Sequence, residues 1–357
     1  MGLLRFFLSI SVVIVHAGPI LGVSLVNGVV AVQSFFIISG FYMSIILNEK
    51  YIGNNNSYFL FITNRMLRLY PLYLIILLIS ILVFSLFTFL KLPNPLSSFF
   101  NYPLGINELV FLIFSQILIL GQDITLFFGV DQETGSMFFK HDLISKGLMA
   151  WNFMLIPPAW SISIEIMFYI IAPFILKGNQ KTFFLVAFFG SASIRILLYY
   201  YGFQKDPWTY RFFPTEVFFF LLGGISYKIF RRLKGLKITS LHFWMAQLSL
   251  IILMVSFPFF PSNKLFMPIF YTIIIISIPI LSLKQFENKS DRFIGELSYP
   301  IYLSHFLLWV LVKSVLNSQA LIGFVTVVVT VLFSFFLNHV VMNPIEKIRH
   351  KRLRLAQ

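Results

Sequence analysis

Long apolar runs recur along this chain with short polar breaks between them. They cover roughly residues 3–22, 28–47, 69–90, 109–128, 160–176, 181–201, 213–230, 243–260, 265–283, 297–316 and 320–341. Runs of about 20 apolar residues predict helices that cross a bilayer. The run 109–128 is the least purely apolar, because it carries Gln116, Gln122 and Asp123. The breaks fix direction. Lys228, Arg231, Arg232, Lys234 and Lys237 share one break, and Lys347, Arg349, Lys351, Arg352 and Arg354 form the tail. Lys50, Arg65 and Arg68 crowd the segment Glu49–Arg68. An excess of Lys and Arg marks cytoplasmic loops, so all three are expected inside. Walking inward from both ends then places the end of run 69–90 and the start of run 160–176 outside, and run 109–128 does not cross.

The expected fold is an all-α integral membrane protein, a bundle of about ten transmembrane helices with both termini cytoplasmic. Run 109–128 is expected as a re-entrant or interfacial piece of an outer segment 91–158. An eleven-span chain with its termini on opposite sides is the alternative. Turn residues Pro93, Pro95, Pro103 and Gly105 and a mixed patch from Asp131 to Lys146 lie in that outer segment. Residues 1–346 read as one membrane domain and 347–357 as a basic cytoplasmic tail, with no soluble domain and no internal repeat of the kind many transporters carry.

Composition agrees: 58% of residues are hydrophobic and 11% charged, and the mean hydropathy is +0.87. The formal charge of +14 is concentrated in the breaks, so it follows the positive-inside rule and does not signal nucleic acid. There is no cysteine, which excludes disulfides, thiolate nucleophiles, Cys-based zinc sites and protein-bound thioesters. Val15-His16-Ala17 mimics a signal-peptide cleavage site, but further spans follow at once and Arg5 is the one basic residue before it, so the first run reads as an uncleaved helix.

The candidate chemistry begins in that first run. Arg5 and His16 are separated by FFLSISVVIV. Eleven residues of helix rise about 16 Å and return to nearly the same face. Arg5 is then expected near one surface and His16 well inside a low-dielectric bundle, where a neutral imidazole can accept a proton. Arg5 also fits a snorkelling anchor, and His16 a packing histidine. Ser39-Gly40 in the second run suits a close helix approach. Gly18-x-x-x-Gly22 has the spacing of a helix-contact motif, one that also arises by chance. Arg65 and Arg68 share a helix face and could clamp a phosphate bidentately, or serve as plain anchors. Ser161 and Glu165 stack four apart after Trp160, and Tyr302 and His305 stand one turn apart. Each of these pairs also fits ordinary helix packing.

Taken in order, Arg5 with His16, SFFIISGF, NRMLRLYPLY, WSISIEIMFY, EVFFFLLGGISY and SYPIYLSHFLLW resemble membrane acyltransferase family 3, bacterial proteins that O-acetylate cell-surface polysaccharides. The Arg-x10-His spacing and the Arg-x-x-Arg pair of Arg65 and Arg68 carry the resemblance most specifically. It implies a multi-pass protein of the bacterial cytoplasmic membrane and acetyl-CoA as a cytoplasmic acyl donor. The sequence holds no metal-binding cluster, so no metal and no permanently bound cofactor are expected. The resemblance also implies that His16 and Arg5 are needed for transfer and that Arg65 and Arg68 act on the donor side. His16 fits either a general base on the acceptor hydroxyl or a relay that takes the acetyl group itself, and the sequence does not choose between them. The acceptor that the resemblance implies is a sugar hydroxyl of a surface glycan or its lipid-linked precursor. Ser39, Trp160 and Tyr302 are candidate donors to a developing oxyanion, and Glu165 and His305 candidate acceptor-orienting groups. The chain departs from the pattern at Ala31-Val32-Gln33, where many members read Gly-Val-Asp, and it carries no fused periplasmic SGNH-type domain, so final transfer falls to the membrane domain or to a separate periplasmic partner. The rival readings are a polysaccharide or lipid-linked sugar transporter, and an acyltransferase with another acyl group, such as succinyl, or a small-molecule acceptor.

Overall fold

The computed structural model describes residues 1–50, 58–142, 147–178, 180–236, 239–260, 266–285 and 289–355. Residues 51–57, 143–146, Lys237, Leu265 and 356–357 of the segments named above lie outside the described residues. The helices are α1 (Gly2–Ala17), α2 (Gly28–Ile45), α3 (Tyr58–Phe89), α4 (Ser98–Asn101), α5 (Ile106–Leu118), α6 (Trp160–Leu176) and α7 (Lys181–Tyr200). They continue with α8 (Phe213–Leu233), α9 (Ser240–Ser256), α10 (Phe266–Gln285), α11 (Lys289–Glu296), α12 (Ser298–Val315), α13 (Gln319–Leu337) and α14 (Asn343–Leu355). A short hairpin pairs β1 (Phe128–Val130) antiparallel with β2 (Met137–Phe139). Among the described residues eight helices are long and apolar enough to cross a membrane, so this is a multi-pass helical membrane protein. The first run does not reach Gly22 as a helix: α1 stops at Ala17 after 16 residues. Gly18 and Gly22 lie beyond it at φ 102° and 87°, so the pair sits in a turn and not on a helix face.

Two compact units make up the chain. The first holds Met1–Phe61, Ala172–Phe184 and Phe219–Gln357, and the second Ile62–Ile171 and Leu185–Phe218.

Within the first unit, α1 lies against α2, α11, α12 and α13. A helix start leaves backbone donors without partners, and α1 finds its acceptor far away in sequence. Asp291 of α11 accepts from the Gly2 and Leu3 amides at 2.8 and 3.0 Å and from the Met1 amino group at 3.0 Å. The approach depends on glycine, since a Cβ on Gly2 would fall 1.6 Å from the Asp291 carbonyl oxygen. Ile10, Val13, Ile14 and Ala17 then bury against Leu297 and Ile301. A second close crossing joins α2 and α8: Cβ atoms on Gly40 and Gly223 would fall 1.9 Å from the Phe220 carbonyl oxygen and 2.1 Å from that of Ile37. Gly40 therefore acts as a small contact residue.

In the second unit, the run 109–128 breaks where its polar residues lie. α5 ends at Leu118, Ile119 takes φ 64° and Gly121 φ 90°. Tyr73 donates to the Gln116 carbonyl at 2.6 Å and Tyr70 to that of Leu118, which satisfies carbonyls that the helix end leaves open. Gln122 donates to Tyr73 Oη at 2.8 Å, the Leu155 amide to Gln116 Oε1 at 2.8 Å, and Ser163 to Asp123 Oδ1 at 2.6 Å. The three polar residues thus tie α5 to α3 and α6, which suits a helix that stops within protein.

The Asp291 cap generates a prediction. Burial alone would push its carboxyl up, but the Met1 ammonium and the two amides outweigh burial and hold it below the usual carboxylate range. Its stabilising share is therefore complete above the unfolded value near pH ~4, and lost as pH falls through the lower folded value. Asp291→Ala should lower stability by about 1–2 kcal/mol, read as a fall in the thermal unfolding midpoint of the solubilised protein at neutral pH.

Candidate functional site

The first unit carries two of the sequence-predicted groups at opposite ends of one seam. Arg5 Nη2 donates to Ser298 Oγ at 2.8 Å, and the Ser298 hydroxyl in turn donates to the Gly295 carbonyl at 2.7 Å. The Arg5 guanidinium also lies 5.9 Å from the centre of the Tyr42 ring. Two turns along α12 from Ser298 stands His305, whose ring centre is 5.0 Å from that of His16. Arg5 and His16 therefore share the face of α1 that meets α12, as their spacing predicts.

The His16 side chain is exposed at the last turn of α1, contrary to the expectation that it lies deep in a bundle. Helix α1 is short, so its eleventh residue after Arg5 already reaches the C-terminal end. His16 Nδ1 lies 2.9 Å from the Val12 carbonyl oxygen. A carbonyl only accepts, so Nδ1 carries the hydrogen and Nε2 is the nitrogen able to take a proton. His305 repeats the arrangement in the interior: it is 0% exposed, and Nδ1 lies 2.6 Å from the Tyr302 carbonyl oxygen. Tyr302 is buried, with its ring centre 5.9 Å from His305 and 6.1 Å from Phe35. Ser39 is buried on α2. Gln33, where the family pattern has an acid, accepts from Tyr271 Oη at 2.6 Å and ties α2 to α10.

The second unit holds the other candidates. Arg65 is 3% exposed and Arg68 is half-buried, so the two guanidiniums of the pair meet different surroundings. Both act electrostatically on Tyr169 of α6, which donates to Glu165 Oε1 at 2.5 Å. Two cations, a phenol and a carboxylate are thereby grouped on α3 and α6. Ser161 donates to the Pro158 carbonyl at 3.1 Å, a bond within its own helix start. Trp160 takes part in a separate cluster: it meets Tyr210 edge-on at 5.0 Å, and Arg211 lies 4.6 Å over its ring. Arg211 Nε in turn contacts both carboxylate oxygens of Asp206 at 2.9 Å.

Sequence reasoning passed over Ser298, Tyr42 and Tyr169 as site residues. Ser298 sits seven residues before His305 and Tyr169 four after Glu165, so helical spacing could have found both. Nothing in the sequence pairs Tyr42 with Arg5.

A family model described as an acyltransferase domain matches residues 1–339. An uncharacterised protein of Aquifex aeolicus strain VF5 is 29% identical over 214 residues, which cover 56% of this chain and 91% of that protein. No solved structure matches the chain.

Ser298→Ala would leave a partly buried guanidinium without its hydroxyl acceptor. A hydrogen bond to a charged group contributes about 1.5–3 kcal/mol, so the thermal midpoint should fall, and Ser298→Thr, which keeps the hydroxyl, should lose less.

Proposed function

The chain belongs to acyltransferase family 3, whose domain model spans residues 1–339, and from that premise we propose that it moves an acetyl group from cytoplasmic acetyl-CoA to a sugar hydroxyl of a surface polysaccharide or its lipid-linked precursor. Acyl transfer is the chemistry of the family. The observation that carries the finer reading is His16: its side chain is exposed, and its Nδ1–H is committed to the Val12 carbonyl. That bond orients the ring and leaves Nε2 as the base that can take the proton of an attacking hydroxyl. As the hydroxyl oxygen bonds to the thioester carbon, the carbon–sulfur bond breaks and the proton held on His16 passes to the departing thiolate. Arg5, held by Ser298, supplies a fixed positive charge at the other end of the same face of α1.

Arg65 and Arg68 are the donor clamp in this reading. CoA carries phosphates, and forked guanidiniums bind phosphate bidentately. Glu165 and Tyr169 beside them offset part of that positive charge, and Arg68, the less buried of the pair, is the one that meets the donor. Tyr302 and Ser39 remain the candidate oxyanion donors of the first unit. Trp160, engaged with Tyr210 and Arg211, is assigned to holding its own unit together.

The membrane topology that fits this chemistry has ten crossings, the eight long helices plus α1 and α12. α1 falls short by length, and α12 is diluted by Ser298, Tyr299, Tyr302, Ser304 and His305. The contacts support this count. Arg5 meets Ser298 and His16 meets His305, so α1 and α12 run parallel. With α5 left out of the count α12 is the ninth crossing and shares the direction of the first; counting α5 would reverse it. Glu49 after α2 and Lys234 after α8 pair at 3.2 Å, as two cytoplasmic segments would. In this topology 1–346 is the catalytic membrane domain of a bacterial cytoplasmic-membrane protein, 347–357 a cytoplasmic tail, and a separate periplasmic partner is one route to the final glycan.

Isolated membranes supplied with radiolabelled acetyl-CoA and the host glycan test the proposal. Wild type should label the glycan, and His16→Ala at matched expression should lose at least about 100-fold, the scale of a lost general base. Arg68→Ala should chiefly raise the donor KM. Normal labelling by His16→Ala would overturn the mechanism. Labelling from succinyl-CoA but not acetyl-CoA would replace the donor, and no labelling from any acyl-CoA would turn the reading towards a transporter.

A further inference from the structure

Asp206, Tyr210 and Arg211 lie in the connection between α7 and α8, and Trp160 opens α6, all within the second unit. The connection is pinned along its length. Arg195 donates to the Thr209 carbonyl at 3.0 Å, Thr215 Oγ1 to that of Trp208 at 2.9 Å, and Trp208 Nε1 to that of His141 at 2.9 Å. The Arg211 amide closes its turn on the Pro207 carbonyl at 2.7 Å. The Arg211 guanidinium is held as firmly. Its Nε contacts both Asp206 oxygens at 2.9 Å, and its carbon lies 4.6 Å over the Trp160 ring and 5.0 Å from the centre of the Tyr210 ring. Both rings are enclosed, at 5% and 9% exposure, so packing keeps them under the guanidinium.

Nε is one of an arginine's five N–H donors. Those on Nη1 and Nη2 donate to nothing among the described residues, and the side chain is 24% exposed. The anchoring thus uses Nε and the flat face of the group. It leaves open the Nη1–Nη2 edge, which can grip two oxygens of one oxyanion. Asp206 already offsets the charge, so what is left to attract a ligand is the paired geometry of these donors.

We propose that Arg211 is a binding residue for an oxyanion of the acceptor, either a sugar carboxylate or the phosphate of a lipid-linked glycan. This rests on the acyl-transfer reading and deepens it, because it makes the acceptor anionic. In the topology of ten crossings the α7–α8 connection and the start of α6 both lie outside, on the face where a surface glycan is met. The oxyanion accepts from Nη1 and Nη2 side by side. Trp160 and Tyr210 fix the plane of the fork, and Asp206 fixes its direction. A fork set in advance gives up little freedom when the ligand arrives.

Binding is read first, without any acyl donor. The purified full chain is titrated with a glucuronate oligosaccharide and its carboxyl-reduced glucose form, and with farnesyl phosphate and farnesol. Wild type should prefer the anion of at least one pair by about ten-fold or more, and Arg211→Gln and Arg211→Lys should both lose that preference. Arg211→Lys keeps a cation beside Trp160 and lacks the fork, so its thermal midpoint should stay near that of wild type. A preference within the sugar pair assigns a carboxylate, and one within the farnesyl pair the lipid-linked phosphate. A wild type with no preference, or a preference that either variant keeps, overturns the proposal. Acyl transfer gives the second measurement. Both variants should raise the acceptor KM about ten-fold at an unchanged donor KM, a change that does not depend on how much of the protein is folded. A fall in kcat with the acceptor KM unchanged makes Arg211 a structural tie and overturns the proposal. A wild type that holds an oxyanion through Arg211 yet transfers no acyl group would sink the functional reading and leave this site standing.

Discussion

Helix α1 carries Arg5 and His16, the two groups assigned to acyl transfer in the proposed reading, yet it is only 16 residues long and has no acidic residue in its first turn. What fixes it is a carboxylate from α11, brought against its first turn by a crossing so close that two glycines face each other. The seam with α12 continues from there: Arg5 on Ser298, the apolar layer of Ile10, Val13 and Ile14 on Leu297 and Ile301, and His16 on His305 at the far end. If the capped end slides, every pairing along the seam slides with it. The polar groups at its two ends therefore depend on the same few backbone contacts.

Burial divides the labour within the two charged or titratable pairs. His16 is exposed where His305 is fully enclosed, and Arg68 is half-buried where Arg65 is enclosed. An exposed group can meet a substrate and give up a proton. An enclosed one keeps its geometry because its rotamers are restricted by packing, at the cost of a polar group taken from solvent. Each exposed group thus stands beside an enclosed neighbour of its own type. The acyltransferase family to which the chain belongs fits that arrangement, since the chemistry calls for a base that reaches the acceptor and cations that reach the donor.

The second unit shows how polar residues end a helix inside an apolar run. Gln122 donates to Tyr73, and Gln116 and Asp123 accept from Leu155 and Ser163, only if the helix ends near Leu118 and the chain turns back through Ile119 and Gly121. A continuous helix would carry the same side chains into lipid with nothing to satisfy them. The tyrosines of NRMLRLYPLY have a structural task here beside the two arginines, because Tyr70 and Tyr73 hold the last carbonyls of α5.

Hydropathy and composition were enough to read a multi-pass helical protein, helical period the shared face of Arg5 and His16, and an ordered set of short motifs the family. Those features depend on local spacing and on transfer of side chains between water and lipid, which each segment settles for itself. The end of α1 at Ala17, the exposure of His16 and the differing burial of Arg65 and Arg68 were not legible, because they follow from what packs alongside. The same holds for the partners of each group. Asp291 lies 289 residues from Gly2, and His305 an equal 289 from His16, separations over which no sequence pattern has a period. The sequence determined which side chains this protein can use and on which face of a helix they lie. Only the tertiary structure decided which of them meet, because that choice is made by close backbone approach at a few glycines and by the hydrogen bonds that buried polar atoms must find.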